Sequence, residues 1–231
     1  MVELQDQSLR SAVSGVVASL ADRMRVRRPP EKRARVKHGP IPLNKAIDTK
    51  AAWLFAVRAG VAPTVMVTIN WPLIPPDIAG RHPVDRMTAI RDAMKQWLKR
   101  QVPGHSPVWI EIRENPRSKG DHVHLVVHVP PCGLLAFETA MRRWVAANSA
   151  EIKTNGLNIT PIRSNWWALF AYLMKGGTDE ARDFAGTLHK HRTSQGVIDG
   201  PRVRVAHSIG PTARRASEDP AGGISDVSAV A

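Results

Sequence analysis

An alternating segment near the middle of the chain constrains the fold most strongly. Residues 121–129 read Asp-His-Val-His-Leu-Val-Val-His-Val, and such β-branched stretches favour a strand. Strand side chains point alternately to opposite faces. One face therefore carries His122, His124 and His128 together with Val126, and the other carries the remaining apolar side chains. The pattern therefore predicts a strand with one apolar face on a core and one histidine-rich face.

A second strand is predicted directly before this one. Residues 107–114 place Val108, Ile110 and Ile112 in alternation, and the polar segment 115–120 contains the Pro, Ser and Gly residues that are typical of a turn. We therefore expect the two strands to form a hairpin.

The other hydrophobic periodicities predict an α+β fold with a mostly antiparallel central sheet flanked by helices. The order is β-α-β-β-α-β-α, which is similar to the topology of RNA-recognition modules, and Ser164 is expected to cap the last helix. A further short strand is expected near Val203. The other predicted strands are 64–70 and 157–162, and the predicted helices are 84–101, 133–148 and 165–175.

The two ends of the chain differ in composition from its centre. A helix is expected over 8–24, and the flexible basic run that follows extends from Arg23 to Lys37. Ala, Ser, Gly and Pro dominate after Arg214, which indicates a disordered tail. The predicted division is a helix and basic arm at 1–48, a catalytic domain at 49–205 and a disordered tail at 206–231.

The charge of the chain points to a polyanionic partner. Lys and Arg number 33 against 20 Asp and Glu, so the net charge is +13, as in many nucleic-acid-binding domains. We expect no secretory signal and no membrane helix, because no apolar stretch reaches about 18 residues. The single cysteine, Cys132, excludes a disulfide framework and a cysteine-based zinc finger, and it fits a reducing cytoplasm.

The histidine-rich strand predicts a metal site. Two imidazoles two residues apart on a rigid strand can bind one ion, and hard ions such as Mg²⁺ or Mn²⁺ favour an additional carboxylate. Glu114 and Glu111 on the neighbouring strand are the candidates, and they point to opposite faces. Glu114 is favoured because it lies near the turn. The other carboxylate is expected at the surface, paired with Arg113 or Arg117.

Tyr172 is the only tyrosine of the chain, and Lys175 follows it three residues later on a predicted helix. Positions i and i+3 of a helix share a face, so the ammonium is expected beside the phenol. A nearby ammonium and a metal-bound phosphate would both favour attack by the phenolate. In isolation, however, this spacing is more typical of a core tyrosine and a lysine at the C-terminal end of a helix.

Three motifs in this order resemble those of the His-hydrophobic-His (HUH) endonucleases, in particular the rolling-circle replication initiator proteins. They are the strand Val67-Thr68-Ile69-Asn70, the pair His122-Val123-His124, and Tyr172-x-x-Lys175. The resemblance covers about residues 62–177, and the predicted element order is similar to the fold of that family.

The resemblance implies a nicking and strand-transfer reaction. His122 and His124 would coordinate Mg²⁺ or Mn²⁺ together with Glu114. This acid stands eight residues before His122, a spacing similar to that of the corresponding acid in related initiators. Tyr172 would attack a phosphate of single-stranded or hairpin DNA at a replication origin. The products would be a 5′-phosphotyrosine link and a free 3′-OH, and Lys175 would support the reacting group.

The resemblance also implies DNA contacts and partners. Asn70 would contact DNA or support the site, and Arg113, Trp166 and Trp167 are further candidates for DNA binding. The chain has no Gly-x-x-x-x-Gly-Lys-Ser/Thr loop, so a host helicase and polymerase are expected partners in a bacterial cytoplasm. No small-molecule cofactor and no membrane partner are expected.

Other functions remain open at this stage. Single-tyrosine transposases and mobilisation relaxases share the same fold and chemistry. Hydrolases of the histidine-triad kind carry His-x-His-x-His, whereas Val126 occupies the third position here. A non-enzymatic nucleic-acid-binding module would expose aromatic residues at the strand centres, where this chain has His, Val and Ile.

Overall fold

The alternating segments form strands, as predicted. The structure is a computed structural model that describes residues 35–101, 106–163, 165–189 and 195–218. Within these ranges the strands, in chain order, are β1 (Lys37–His38), β2 (Val65–Asn70), β3 (Trp109–Glu114), β4 (His122–Val127), β5 (Leu157–Pro161), β6 (Ile198–Asp199) and β7 (Val203–Val205).

Five of these strands form one antiparallel sheet in the order β5-β2-β4-β3-β7, with the histidine-rich strand β4 at its centre. The hairpin predicted between β3 and β4 is confirmed, and so is the short strand predicted near Val203. The remaining two strands, β1 and β6, pair with each other. The α+β class and the antiparallel sheet are therefore as expected.

Helices flank the sheet at the positions that the periodicity predicts, with three additions, one before β2 and two after residue 177. In the described residues they are α1 (Leu43–Arg58), α2 (Pro83–Gln101), α3 (Leu134–Ala146), α4 (Trp166–Leu173), α5 (Asp179–Phe184) and α6 (Pro211–Glu218). None of them combines the length and the apolar character that crossing a membrane requires.

The two faces of the sheet carry different layers. Helix α2 lies over the face that contains Glu111, because Arg91 of α2 donates a hydrogen bond to that carboxylate at 2.7 Å. Helix α3 packs beside α2, where the rings of Trp97 and Phe137 lie 5.6 Å apart. The residues after α4 lie over the opposite, histidine-bearing face, since Lys175 contacts Glu114 there.

Glu111 is the carboxylate that the sequence does not favour as a metal ligand, and it was expected at the surface. This prediction is wrong. The Glu111 side chain is buried, with the residue 1% exposed, and it pairs with Arg91 rather than with Arg113 or Arg117. The physical reason is that α2 covers this face and β7 covers the outer edge of β3. A carboxylate buried in this way requires a buried cation.

The folded domain begins before residue 49, where the predicted boundary cuts through α1. Strand β1 already pairs with β6, and α1 buries Ala46, Thr49 and Trp53 among others. Polar residues interspersed along α1 diluted its periodicity. The helix predicted over 8–24 and nearly all of the basic arm lie outside the described residues.

The domain also extends beyond residue 205, so the predicted start of the tail is wrong. A 3₁₀ turn at His207–Ile209 leads into α6, Ile209 is buried, and Arg214 donates a hydrogen bond to the carbonyl of Asp48 at 3.2 Å. The small residues of this segment indicated disorder, but a single apolar side chain, Ile209, reaches the core and attaches the segment to the domain. Residues 219–231 lie outside the described residues.

We predict that Glu111→Gln lowers the free energy of unfolding by about 3–5 kcal/mol, because it leaves the Arg91 guanidinium buried without its counter-charge. Urea denaturation of both proteins measures the change. Glu151→Gln, at an exposed position, is the matched control and should change the free energy of unfolding by less than about 0.5 kcal/mol. Equal effects of the two variants would contradict the predicted role of the ion pair.

Candidate active site

The pairing of strands β2, β3 and β4 brings polar side chains together on one face of the sheet. Glu114 of β3 lies directly opposite His122 of β4, and Asn70 of β2 lies opposite His122 from the other side. In the next layer Thr68 lies opposite His124. This register, which periodicity alone does not determine, selects Glu114 rather than Glu111 as the carboxylate beside the histidines.

Glu114, His122 and His124 form a buried group that could hold a metal ion. Their ligand atoms all lie within 4.8 Å of one another. Glu114 Oε2 is 2.9 Å from His122 Nε2 and 3.7 Å from His124 Nε2. Within the described part of the chain, Glu114 Oε1 is a buried atom that has no hydrogen-bond partner. One carboxylate and two imidazoles, with an oxygen lone pair still unsatisfied, fit a divalent cation.

Hydrogen bonds on the far side of each ring orient the two histidines. His122 Nδ1 lies 3.0 Å from the carbonyl oxygen of Gly120, and His124 Nδ1 lies 3.2 Å from the hydroxyl oxygen of Thr68. Both Nε2 atoms are thereby directed towards Glu114. Outer contacts of this kind determine ring orientation and raise the affinity of a histidine for metal.

The electrostatics of the group keep the carboxylate ionised and one imidazole neutral. Burial by itself raises the pKa of Glu114, but hydrogen bonds from His122 and His124 and the charge of Lys175 outweigh it and hold the pKa far below its usual range. Burial lowers the pKa of His124, although Glu114 opposes the shift. A carboxylate and a neutral imidazole are the forms that bind metal ions.

Tyr172 and Lys175 reach the same face of the sheet as the three potential ligands. The Tyr172 ring lies 5.4 Å from the His124 ring, centroid to centroid, and the tyrosine is 37% exposed. Lys175 Nζ lies 3.0 Å from Glu114 Oε2, 3.4 Å from His124 Nε2 and 3.5 Å from the centroid of the Tyr172 ring. The phenol, the ammonium and the ligand group are therefore contiguous.

The local sequence explains how α4 presents this pair. The side chain of Asn165 caps the helix by accepting a hydrogen bond from the backbone of Trp167, and the predicted cap Ser164 lies outside the described residues. Phe170 and Leu173 are buried and attach the helix to the core. The chain then tightens into the 3₁₀ turn Met174–Gly176, which directs Lys175 inward rather than to solvent.

A cavity of about 190 Å³ adjoins the group, between the candidate nucleophile and the β3–β4 turn. Its lining includes Glu114, His122, Tyr172 and Lys175. The other lining residues are Pro116, Ser118, Lys119 and Gln195. Two of the three candidate ligands and Tyr172 therefore line one common space that opens to solvent.

The remaining residues of the cavity lining have little signal in the sequence. The polar segment 115–120 predicts only a turn, although a turn next to two potential ligands is necessarily near the site. Gln195 is far away along the chain and is positioned by the backbone hydrogen bond that Asn115 donates to its carbonyl at 2.9 Å. No sequence signal indicates that pairing.

Three of the four predicted DNA-binding residues lie near the site or on its helix. Asn70 is half-buried, and its Oδ1 is a buried atom without a hydrogen-bond partner among the described residues. Trp166 and Trp167 are also half-buried, and the Trp166 ring lies 6.4 Å from the Trp53 ring. Trp167 stacks on Phe170 at 5.3 Å. Each indole thus has a packing role and an exposed part.

Arg113 lies on the face of the sheet opposite to the site, and its placement does not support the predicted DNA contact. It is 2% exposed, and its guanidinium donates hydrogen bonds to the carboxylate of Asp121 and the carbonyl of Asp199, each at 2.5 Å. The alternation along β3 that directs Glu114 into the site directs Arg113 away from it.

Comparisons with protein families, curated proteins and solved structures found no match to this chain. The case for a function therefore rests on the chemistry and geometry of the residues described above.

We predict that Mn²⁺ raises the melting temperature of the protein and that His122→Ala and His124→Ala together abolish this rise, because an ion bound only to the folded state stabilises it. Differential scanning fluorimetry with increasing Mn²⁺ measures the effect. His128→Ala is the matched control, since His128 contacts the carbonyl of Ala62 at 2.8 Å and is not part of the ligand group. A metal response that survives in the double variant would contradict the assignment.

We predict that Thr68→Val weakens Mn²⁺ binding by about 10–100-fold, because it removes the oxygen that orients His124 while nearly preserving side-chain volume. Isothermal titration calorimetry measures the affinity. Thr160→Val, at an exposed position on β5, is the control and should leave the affinity unchanged. Equal Mn²⁺ affinities in the Thr68 variant and the unmodified protein would show that the hydroxyl does not orient the ring.

Proposed function

We propose that this protein is a metal-dependent DNA nickase with a single tyrosine nucleophile, and that it initiates rolling-circle replication. The observation that carries the proposal is the position of Tyr172: its ring lies 5.4 Å from the ring of His124, on the same face as the buried ligand group. A phosphate held at that group would be within reach of the only phenol in the chain.

The chemistry follows from the positions of the side chains. A divalent ion at Glu114, His122 and His124 would polarise a phosphoryl oxygen, and either Mg²⁺ or Mn²⁺ suits this ligand set. Tyr172 loses its phenolic proton to solvent, and its oxygen forms a bond to phosphorus. The bond from phosphorus to the 3′-oxygen breaks, and this oxygen takes a proton from solvent. The products are a 5′-phosphotyrosine and a free 3′-OH.

Lys175 supports the nucleophile in this scheme. A tyrosine has an ordinary pKa near 10, so the phenolate needs a nearby positive charge to be populated at neutral pH. The ammonium of Lys175 lies over the face of the Tyr172 ring, at 3.5 Å from its centroid. It is therefore close enough to stabilise negative charge that develops on the phenol.

The shape of the site favours a single strand or an extruded hairpin as substrate. The cavity of about 190 Å³ admits a phosphodiester and part of a nucleoside. The phosphates of a duplex lie on its convex outer surface and do not reach into a concave site as those of a single strand do. Lys119 on the cavity wall offers a positive charge to a neighbouring phosphate. The half-exposed Trp166 and Trp167 on α4 offer surfaces on which unpaired bases can stack.

The cellular setting belongs to the proposal as well. This sequence contains no Gly-x-x-x-x-Gly-Lys-Ser/Thr loop, and a host helicase would separate the strands while a host polymerase extends the free 3′-OH. We place this activity in the bacterial cytoplasm, at a replication origin. The net charge of +13 supports association with DNA.

Covalent trapping tests the proposal. The protein is incubated with Mn²⁺ and a labelled pool of single-stranded oligonucleotides of random sequence, and the products are separated on a denaturing gel. We expect a shifted covalent band, and mass spectrometry of the digested adduct should locate the nucleotide on Tyr172. Tyr172→Phe should lose the band completely while it retains DNA binding and the thermal response to Mn²⁺, because only the nucleophilic oxygen is removed.

Two results would contradict the proposal. An adduct that persists in Tyr172→Phe would show that another residue is the nucleophile. Metal-dependent binding of DNA without any adduct in the unmodified protein would indicate a binding module instead of a nickase.

A further inference from the structure

The ammonium of Lys175 lies inside the candidate metal group. Its Nζ is 3.0 Å from Glu114 Oε2 and 3.4 Å from His124 Nε2, and these two residues are members of the group that could hold the ion. Lys175 is 9% exposed, so little solvent screens its charge. The lysine thus forms a buried ion pair with the only carboxylate of the group.

This placement is specific to the inward turn of the chain after α4. A lysine at the end of a helix commonly extends towards the last carbonyl groups and solvent. Here the 3₁₀ turn Met174–Gly176 follows α4, and Lys175 contacts Glu114, His124 and the Tyr172 ring instead. The buried carboxylate explains the contact, because a buried negative charge requires a positive partner.

An ion bound by Glu114 and His124 would lie beside this ammonium. Metal–oxygen bonds are about 2.0–2.1 Å long for Mg²⁺, and Lys175 Nζ is 3.0 Å from one oxygen of the same carboxylate. Two positive charges on one carboxylate repel each other strongly in a buried site. The lysine and the ion therefore compete for Glu114.

We propose that Lys175 is an internal competitor of the metal ion, which holds Glu114 until the ion arrives and is then transferred to Tyr172. The inference rests on the proposed function for its last step only. The ammonium already lies 3.5 Å from the centroid of the phenol ring, and the adjoining cavity provides space for it to move. Metal binding would thereby deliver a positive charge to the nucleophile, so that the tyrosine becomes reactive only in the loaded protein.

The experiment compares Mn²⁺ affinities without DNA. Isothermal titration calorimetry is carried out on the unmodified protein, Lys175→Met and Lys153→Met, the last of which removes the same charge from an exposed position. We expect Lys175→Met to bind Mn²⁺ about tenfold more tightly or better, because the competing cation is gone. Lys153→Met should bind as the unmodified protein does. Lys175→Met should also be less stable than the unmodified protein without metal and should regain stability with Mn²⁺.

An unchanged or weaker Mn²⁺ affinity of Lys175→Met would overturn the inference. It would show that the lysine supports the fold or assists metal binding and does not compete with the ion. If that variant fails to fold without metal, Lys175→Gln, which keeps polar contacts to Glu114, provides the same comparison. This outcome is separable from failure of the proposed function. The calorimetry involves no DNA, whereas the proposed function depends on the adduct at Tyr172.

Discussion

The buried carboxylate of Glu114 is the constraint on which the rest of the site depends. It is the last residue of β3, beside the central strand of the sheet, and it is buried, so it remains ionised only because positive or hydrogen-bonding groups surround it. The two histidines of β4 and the lysine after α4 are those groups. A cation bound at this group would take over the role of the lysine as counter-charge to Glu114. The lysine also connects the site to α4, which carries Tyr172.

The two faces of strand β3 show how the same residue type can serve two purposes. Glu111 and Glu114 are three positions apart and both are buried, but Glu111 is neutralised by Arg91 of α2 and contributes to the packing of the fold. Glu114 faces a cavity, pairs with the ammonium of Lys175 and keeps one oxygen that has no partner among the described residues. The two carboxylates therefore differ in their access to a cavity and in the lone pairs left unsatisfied, whereas their partners are equally buried.

The sequence allowed prediction of those features that depend on local periodicity. Alternation along residues 121–129 indicated the strand and its histidine face, and the i, i+3 spacing indicated that Tyr172 and Lys175 belong together. Features that depend on pairing between distant segments were not predictable: the contact of Gln195 with the cavity, the burial of Arg113 and the ordered residues around Ile209. The choice between Glu111 and Glu114 also required the strand register, since a shift of one residue exchanges the faces.

The most direct test of the central claim, a metal-binding group that faces the phenol, is anomalous diffraction at the manganese absorption edge from crystals grown with Mn²⁺. We expect an anomalous peak within about 2.5 Å of His122 Nε2, His124 Nε2 and a Glu114 oxygen, with Lys175 withdrawn from that carboxylate and the Tyr172 hydroxyl facing the ion across the cavity. A saturated crystal with no peak at this group, or with the peak at a different set of residues, would contradict it.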